Sequence, residues 1–218
     1  MILTNEQAKL IVDKIKNLSK ADAVRISMNG DNSSNLRFAR NTVTTSGTSS
    51  NVTTSLTSTF GRRSGSHSFN QFDDQTLGEA VRTAEELARL APEDPEYMPP
   101  LNPQSHLSVN AYADATVNVT PEDRAKIAGE CIAMSLPRKL TSAGFIENGE
   151  NFSLIANSKG LQGYHKSTSI SYSATSRTED GTGSGWGGGG HTDASKLQSS
   201  AISKIAFSAS SSCRSASS

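Results

Sequence analysis

The 218-residue chain is poor in the residues that usually carry cross-links, cores and catalysis. Two cysteines, Cys131 and Cys213, make no disulfide framework, so the fold must hold by packing, and Asn-x-Ser/Thr matches such as Asn51 to Thr53 carry no weight as glycosylation sites. Aromatic residues reach 6% and hydrophobic residues 34%, which leaves a core of small and aliphatic side chains. Lysine and arginine together equal aspartate and glutamate at 21 each, for a net charge of zero; this argues against nucleic acid or an anionic membrane as partner. No apolar run is long enough to span a bilayer, and the N-terminus lacks the basic-then-apolar layout of a signal peptide. A cytoplasmic protein is the expectation.

Chemical motifs are missing as well. The four histidines, His67, His106, His165 and His191, have no second histidine or cysteine at helical or knuckle spacing, and there is no His-Glu-x-x-His. No zinc site is therefore readable locally. His67 and His165 lie in roughly corresponding regions of the two halves; convergence of the pair in space stands beside the plainer reading of solvated surface histidines. Serine is abundant, but no Gly-x-Ser-x-Gly elbow is present. The run Gly181 to Gly190 leads towards a helix, as a phosphate cradle does, yet lacks the Lys-Ser/Thr of a P-loop and the spacing of a dinucleotide fingerprint. A flexible connector is the expected reading. Arg62-Arg63 reads as a solvated turn. No catalytic, cofactor-binding or metal-binding residue is assigned.

What the chain does contain is a repeat. A helix opens at Thr4, strands follow through Phe60 and a helix starts near Asp74; about 116 residues on, a helix opens at Thr120, strands follow through Thr175 and a helix starts near Asp193. In the strands, Thr53, Ser55, Thr57 and Thr59 alternate with Val52, Thr54, Leu56, Ser58 and Phe60, and Ser169, Ser171, Ser173 and Thr175 alternate with Ile170, Tyr172 and Ala174. That period of two predicts half-buried antiparallel strands with a hydroxyl-rich outer face. Such a face or edge could also recruit an extended peptide. Gly65 and Gly181 fall at matching places after the strands.

The helices carry start signals. Thr4 and Gln7 form a capping box, followed by an apolar face of Ala8, Ile11, Val12, Ile15 and Leu18. Asp74 opens a stripe of Leu77, Ala80, Val81, Ala84, Leu87 and Ala88, and Pro92 stops it. Thr120 caps a third helix with Pro121 at its first position and Glu122 and Asp123 near its positive end; Ala128, Cys131 and Ile132 form its buried stripe. Leu197, Ala201 and Ile205 supply the fourth. Between the copies, Pro92, Pro95, Pro99, Pro100 and Pro103 forbid helix and hold the chain extended, with a proline-rich ligand for an aromatic groove as the alternative role. The pattern predicts an α+β fold of two similar helix–antiparallel strands–helix units joined by a Pro-rich linker: residues 1–91, a linker at 92–118, residues 119–207, and a disordered Ser-rich tail at 208–218.

Several strings also resemble a known family. Leu36 to Asn41, Thr53 through Gly65, Ala143-Gly144-Phe145, Ala156-Asn157-Ser158-Lys159-Gly160-Leu161 and Thr175 through Gly185 are similar, in that order, to the TldD/PmbA family, also named modulator of DNA gyrase. The resemblance runs from residue 1 to about 207. It implies cytosolic, zinc-dependent proteolysis of peptide substrates by a pair of related TldD/PmbA-type subunits. The family's metal motif, His-Glu-x-x-x-His with a further cysteine, lies in a C-terminal domain beyond the matched region and has no counterpart in this chain. The expectation is an N-terminal portion, inactive alone, with zinc held elsewhere; a non-catalytic peptide- or partner-binding module is the alternative.

Overall fold

The computed structural model describes residues 1–212. Along the chain run α1 (Asn5–Leu18), β1 (Ala23–Ala39), β2 (Thr42–Phe60), β3 (Arg63–Phe69), α2 (Asp74–Leu90), a single turn α3 (Asp114–Val117), α4 (Pro121–Ser135), β4 (Leu140–Asn157), β5 (Gln162–Thr178), β6 (Ser184–His191) and α5 (Ser199–Ser212). The described strands form one six-stranded antiparallel sheet in the order β3-β2-β1-β4-β5-β6. This is the α+β arrangement expected from the alternation of strand and helix patterns. No helix among the described residues is long and apolar enough to cross a membrane.

Two compact units divide the chain, and each draws strand segments from both sequence copies. One comprises Met1–Asp31, Ser50–Asn110 and Asn151–Lys166; the other Asn32–Ser49, Ala111–Glu150 and the chain from Ser167 on. Element lengths explain the division. The 17 residues of β1 extend roughly 56 Å at a strand's rise, whereas the 14 residues of α1 extend roughly 21 Å. A helix pair of that length covers only part of such strands.

In the first unit the capping box forms as expected, with Gln7 N–H donating to Thr4 Oγ1 at 3.2 Å and Thr4 N–H to Gln7 Oε1 at 2.9 Å. Ala8, Val12 and Ile15 of α1 and Leu77, Ala80, Val81 and Ala84 of α2 pack on Ile26, Met28, Leu56, Phe152 and Leu154. Leu18 and Leu87, expected on these stripes, are instead 47% and 45% exposed. Beside Leu87, Glu85 is buried and its carboxylate accepts from Lys20 N–H, Ser19 Oγ and Arg89. The β2–β3 turn uses Gly61 at φ +58°, and Gly65 lies directly under α2, where a Cβ would come within 2.2 Å of Ala88 N.

In the second unit Thr120 and Asp123 cap α4 reciprocally, behind Pro121. Ala128 and Cys131 face a core completed by Ile146, Tyr172, Ala174, Ala206 and Phe207. The glycine run is not a flexible connector. Ser184–His191 is strand β6, paired with β5 from Ile170↔His191 to Arg177↔Ser184. Glycines on its helix side admit α5: Cβ atoms at Gly183, Gly185 and Gly187 would approach Ser210 O, Ala206 O and Ile202 O to 2.3, 2.1 and 2.3 Å. The glycine match between copies shifts accordingly. Gly181, at φ +74°, is the β5–β6 turn and answers to Gly61, while Gly65 answers to Gly185.

The last helix also departs from its sequence pattern. A 3-10 turn, Ala194–Lys196, follows Asp193, and α5 begins at Ser199. It buries Ile202, Ala206 and Phe207 and turns Ile205 outward at 55% exposure, because its contact with β6 is made through small residues and backbone. Residues 208–212, expected in a disordered tail, are the final turn of this helix, with Ser210 Oγ 3.0 Å from Ser176 Oγ. The rest of that tail lies outside the described residues.

Two asparagines close the long hairpins. Asn41, in a turn where Arg40 and Asn41 both have positive φ, accepts through Oδ1 from Ser142 N–H, Ser142 Oγ and Ser135 Oγ and donates to Leu140 O. Asn157 accepts from Lys159 N–H and Leu161 N–H and donates to Leu101 O. Both belong to the strings that carry the family resemblance.

Candidate functional site

The first unit holds a cleft of about 500 Å³ between its sheet and the Pro-rich segment. That segment has no helix or strand between Ala91 and Ala113, because its prolines lack N–H groups and fix φ. It is nevertheless held down. Arg62 donates to Asp94 O and Pro95 O, Arg63 donates to Ala91 O and lies 3.6 Å from Glu93, and Arg25 donates to Met98 O. Arg62 and Arg63 are exposed at the β2–β3 turn, as expected, and also act as tethers, a role invisible in sequence because their acceptors are main-chain carbonyls some 30 residues away.

Met98, Pro100 and Leu101 form one wall of the cleft, and Ser27, Thr57 and Ile155 face them. The volume suits a small or extended apolar ligand. No histidine, cysteine, aspartate or glutamate lines the cleft, so its serine and threonine hydroxyls have no base to activate them. Its one cation, Arg25, already donates to Met98 O and sits 5.9 Å over the Tyr97 ring.

The histidines do not assemble. His67 on β3 and His165 on β5 belong to the same unit, but β2, β1 and β4 lie between their strands, a lateral separation of roughly 19 Å at ordinary strand spacing. His67 stacks on Phe69 with ring centroids 6.4 Å apart, His106 Nε2 is 3.2 Å from Gln162 O, and His191 Nδ1 accepts from Asp193 N–H at 2.9 Å. A catalytic zinc needs three convergent protein ligands and an open position. Among the described residues, no group of three His, Cys, Asp or Glu side chains is placed to hold a metal ion. The described residues do not fit that cofactor.

Buried polar groups in the second unit are structural in their contacts. Arg124 is 2% exposed; its Nη1 donates to Asn148 Oδ1 at 2.7 Å and to Val119 O at 3.3 Å, tying α4 to β4. Burial lowers its pKa, against the raising influence of Asp123 and Glu122. Tyr172 sits 2.9 Å from Ser203 Oγ, and burial pushes its phenol well above the usual value, with a further rise from Cys131. Such a phenol stays protonated at neutral pH.

Comparison with known proteins gives a consistent answer. Residues 24–88 match the family model described as PmbA/TldA metallopeptidase domain 1, and residues 116–211 match the PmbA/TldA metallopeptidase central domain. No curated protein matches in sequence. Three solved structures are similar in fold: TldE from Thermococcus kodakarensis (TM-score 0.80, 14% identity, 92% of this chain and 46% of that one), a modulator of DNA gyrase from Thermotoga maritima (0.83, 13%, 94% and 48%) and one from Bacteroides thetaiotaomicron (0.80, 18%, 96% and 50%). This chain spans about half the length of each. The two family matches lie in the order of the sequence repeat and cover most of its residues, so the chain belongs to the PmbA/TldD metallopeptidase family, as its domain 1 and central domain.

Proposed function

We propose that this chain is the N-terminal portion of a TldD/PmbA-like zinc metallopeptidase subunit, a scaffold for peptide substrates and a related partner subunit that does not hydrolyse peptides alone. One observation carries the reading: the 500 Å³ cleft offers apolar walls and hydroxyls but no acid, base or metal ligand. Family membership supports proteolysis as the chemistry of the whole protein, acting in the cytoplasm. On this reading residues 1–91 and 119–207 are successive domains joined through 92–118, and zinc is held by a part of such proteins that these residues do not match.

Elemental analysis and a fluorogenic, unstructured peptide test this together. The purified chain, supplied with zinc, should retain far less than one equivalent after desalting and release no fluorophore. One equivalent of zinc with turnover contradicts the proposal. A second reading, a peptide- or partner-binding module, is favoured by the open outer edge of β6 and the exposed Trp186 on it; peptide binding without turnover supports it.

A further inference from the structure

The outer edge of β6 carries a slot, and assigning its ligand rests on the second reading above, which leaves that ligand open. β6 ends the sheet, and among the described residues no strand pairs with its far side. Its eight residues, Ser-Gly-Trp-Gly-Gly-Gly-Gly-His, include no lysine, arginine, acidic residue or proline. Those are the usual means by which an edge strand discourages another strand from adding to it. The unpaired N–H and C=O groups of such an edge accept one kind of partner chemistry, an extended backbone.

Both faces beside this edge are furnished. Gly185 and Gly187 face α5, so Trp186 projects to the opposite face of the sheet. There its ring lies along Gly188, with Cζ2 2.5 Å from where a Cβ would be, and it remains 63% exposed. On the helix side, Ser203 points inward to Tyr172 and Phe207 into the core. At 100° per residue, Ala201 and Ile205 fall on the flank opposite to these two, overhanging the free edge. Ile205 is 55% exposed. A strand added to β6 would therefore set alternate side chains against Ile205 on one face and Trp186 on the other.

We propose that this slot binds an extended polypeptide segment with uncharged, apolar-alternating side chains, by strand addition to β6. The size of the site favours a transient peptide over a second copy of the chain. Eight strand residues extend roughly 27 Å, and a strand lying between the two flanking side chains occupies a height of roughly 10 Å, a footprint of about 270 Å² per partner. A stable dimer needs about 600 Å² per partner. Recognition is through main chain and two apolar anchors, and it includes no bond-breaking step.

The chain has a single tryptophan, so binding reads out directly. The probe is a capped peptide of alternating valine and threonine with one lysine at each end, titrated into the full chain while Trp186 emission is recorded. A saturable blue shift is expected, weakened at least tenfold by Ile205→Lys and unchanged by Thr83→Lys, which sits at the matching place on α2. A probe with proline at its centre should also bind at least tenfold more weakly, which tests the slot without altering the protein. Absence of a saturable shift, equal weakening by both lysine variants, undiminished binding of the proline probe, or a shift that tracks protein concentration with doubled mass in sedimentation would each overturn the proposal. Zinc retention or turnover bears on the peptidase reading alone, since this binding is read at Trp186.

Discussion

The two ends of the sheet are built by one device and finished differently. β3 lies under α2 with Gly65 against Ala84 and Ala88; β6 lies under α5 with Gly185 against Ala206 and Ser210. When these contacts are aligned, Ser66 takes the place of Trp186, Thr83 that of Ile205 and Glu85 that of Phe207. The β3 edge starts at Arg63, which is paired with Glu93, and α2 adds the ion pair Arg82–Glu86. The β6 edge has no charge and offers tryptophan and isoleucine. Packing that positions a strand is thus shared, while the residues that decide whether the strand accepts a neighbour are not.

The largest effects should fall on the shared device. Gly65→Ala and Gly185→Ala each drive a Cβ into helix backbone at 2.2 and 2.1 Å, and each is expected to lower stability by about 3 kcal/mol in urea denaturation. Gly61→Ala and Gly181→Ala, at turns with positive φ and open space around them, should cost only about 1 kcal/mol. Tolerance of alanine at Gly185 but not at Gly65 would break the equivalence of the two ends.

A smaller effect separates Glu85 from Phe207. Burial pushes the Glu85 carboxyl up, but the hydrogen bonds from Lys20 N–H, Ser19 and Arg89, with the Arg89 charge, hold it below the usual range. A carboxyl depressed in the folded state stabilises fully above its unfolded pKa of about 4.3, and that stabilisation is lost as pH falls through the lower folded value. Glu85→Gln should therefore cost about 2 kcal/mol at pH 7, and the gap between variant and parent should close in acid. Phe207→Leu should show no such pH dependence. Equal urea midpoints for Glu85→Gln and parent at pH 7 would remove the proposed role of the buried carboxylate.

Asn41→Ala and Asn157→Ala sharpen the comparison at the hairpin turns, where each removes an acceptor for buried or half-buried N–H groups. Losses of about 1 kcal/mol each are expected by thermal unfolding. Ile205→Lys, on an exposed flank, should change stability by less than about 0.5 kcal/mol, leaving peptide binding as its main readout.

Much of the helical fold was legible because its signals are local. Thr4 with Gln7, Asp74 before Leu77, and Thr120 before Pro121 announce themselves within one turn. β6 and the face of α5 were not legible. Glycine has no side chain to alternate, so Ser184–His191 reads as a connector; it is a strand because a helix from later in the chain lies on it. Leu197 does pack against the core, but for the same reason Ala201 and Ile205 scan as its continuation, although a glycine floor lets Ile202 and Ala206 approach instead. The candidate sites depend on still longer range. The cleft exists because Arg25 and Arg62 bind carbonyls of the Pro-rich segment. The slot exists because β6, and not β5, ends the sheet, and strand order leaves no mark in the residues themselves.

Amide hydrogen exchange of the full chain, with and without the valine–threonine probe at saturating concentration, tests the difference between the two ends most directly. Slower exchange confined to alternate amides of Ser184–His191, with Arg63–Phe69 unchanged, is the predicted result. Equal protection of both edge strands, or protection confined to the cleft beside Met98 and Leu101, would contradict it.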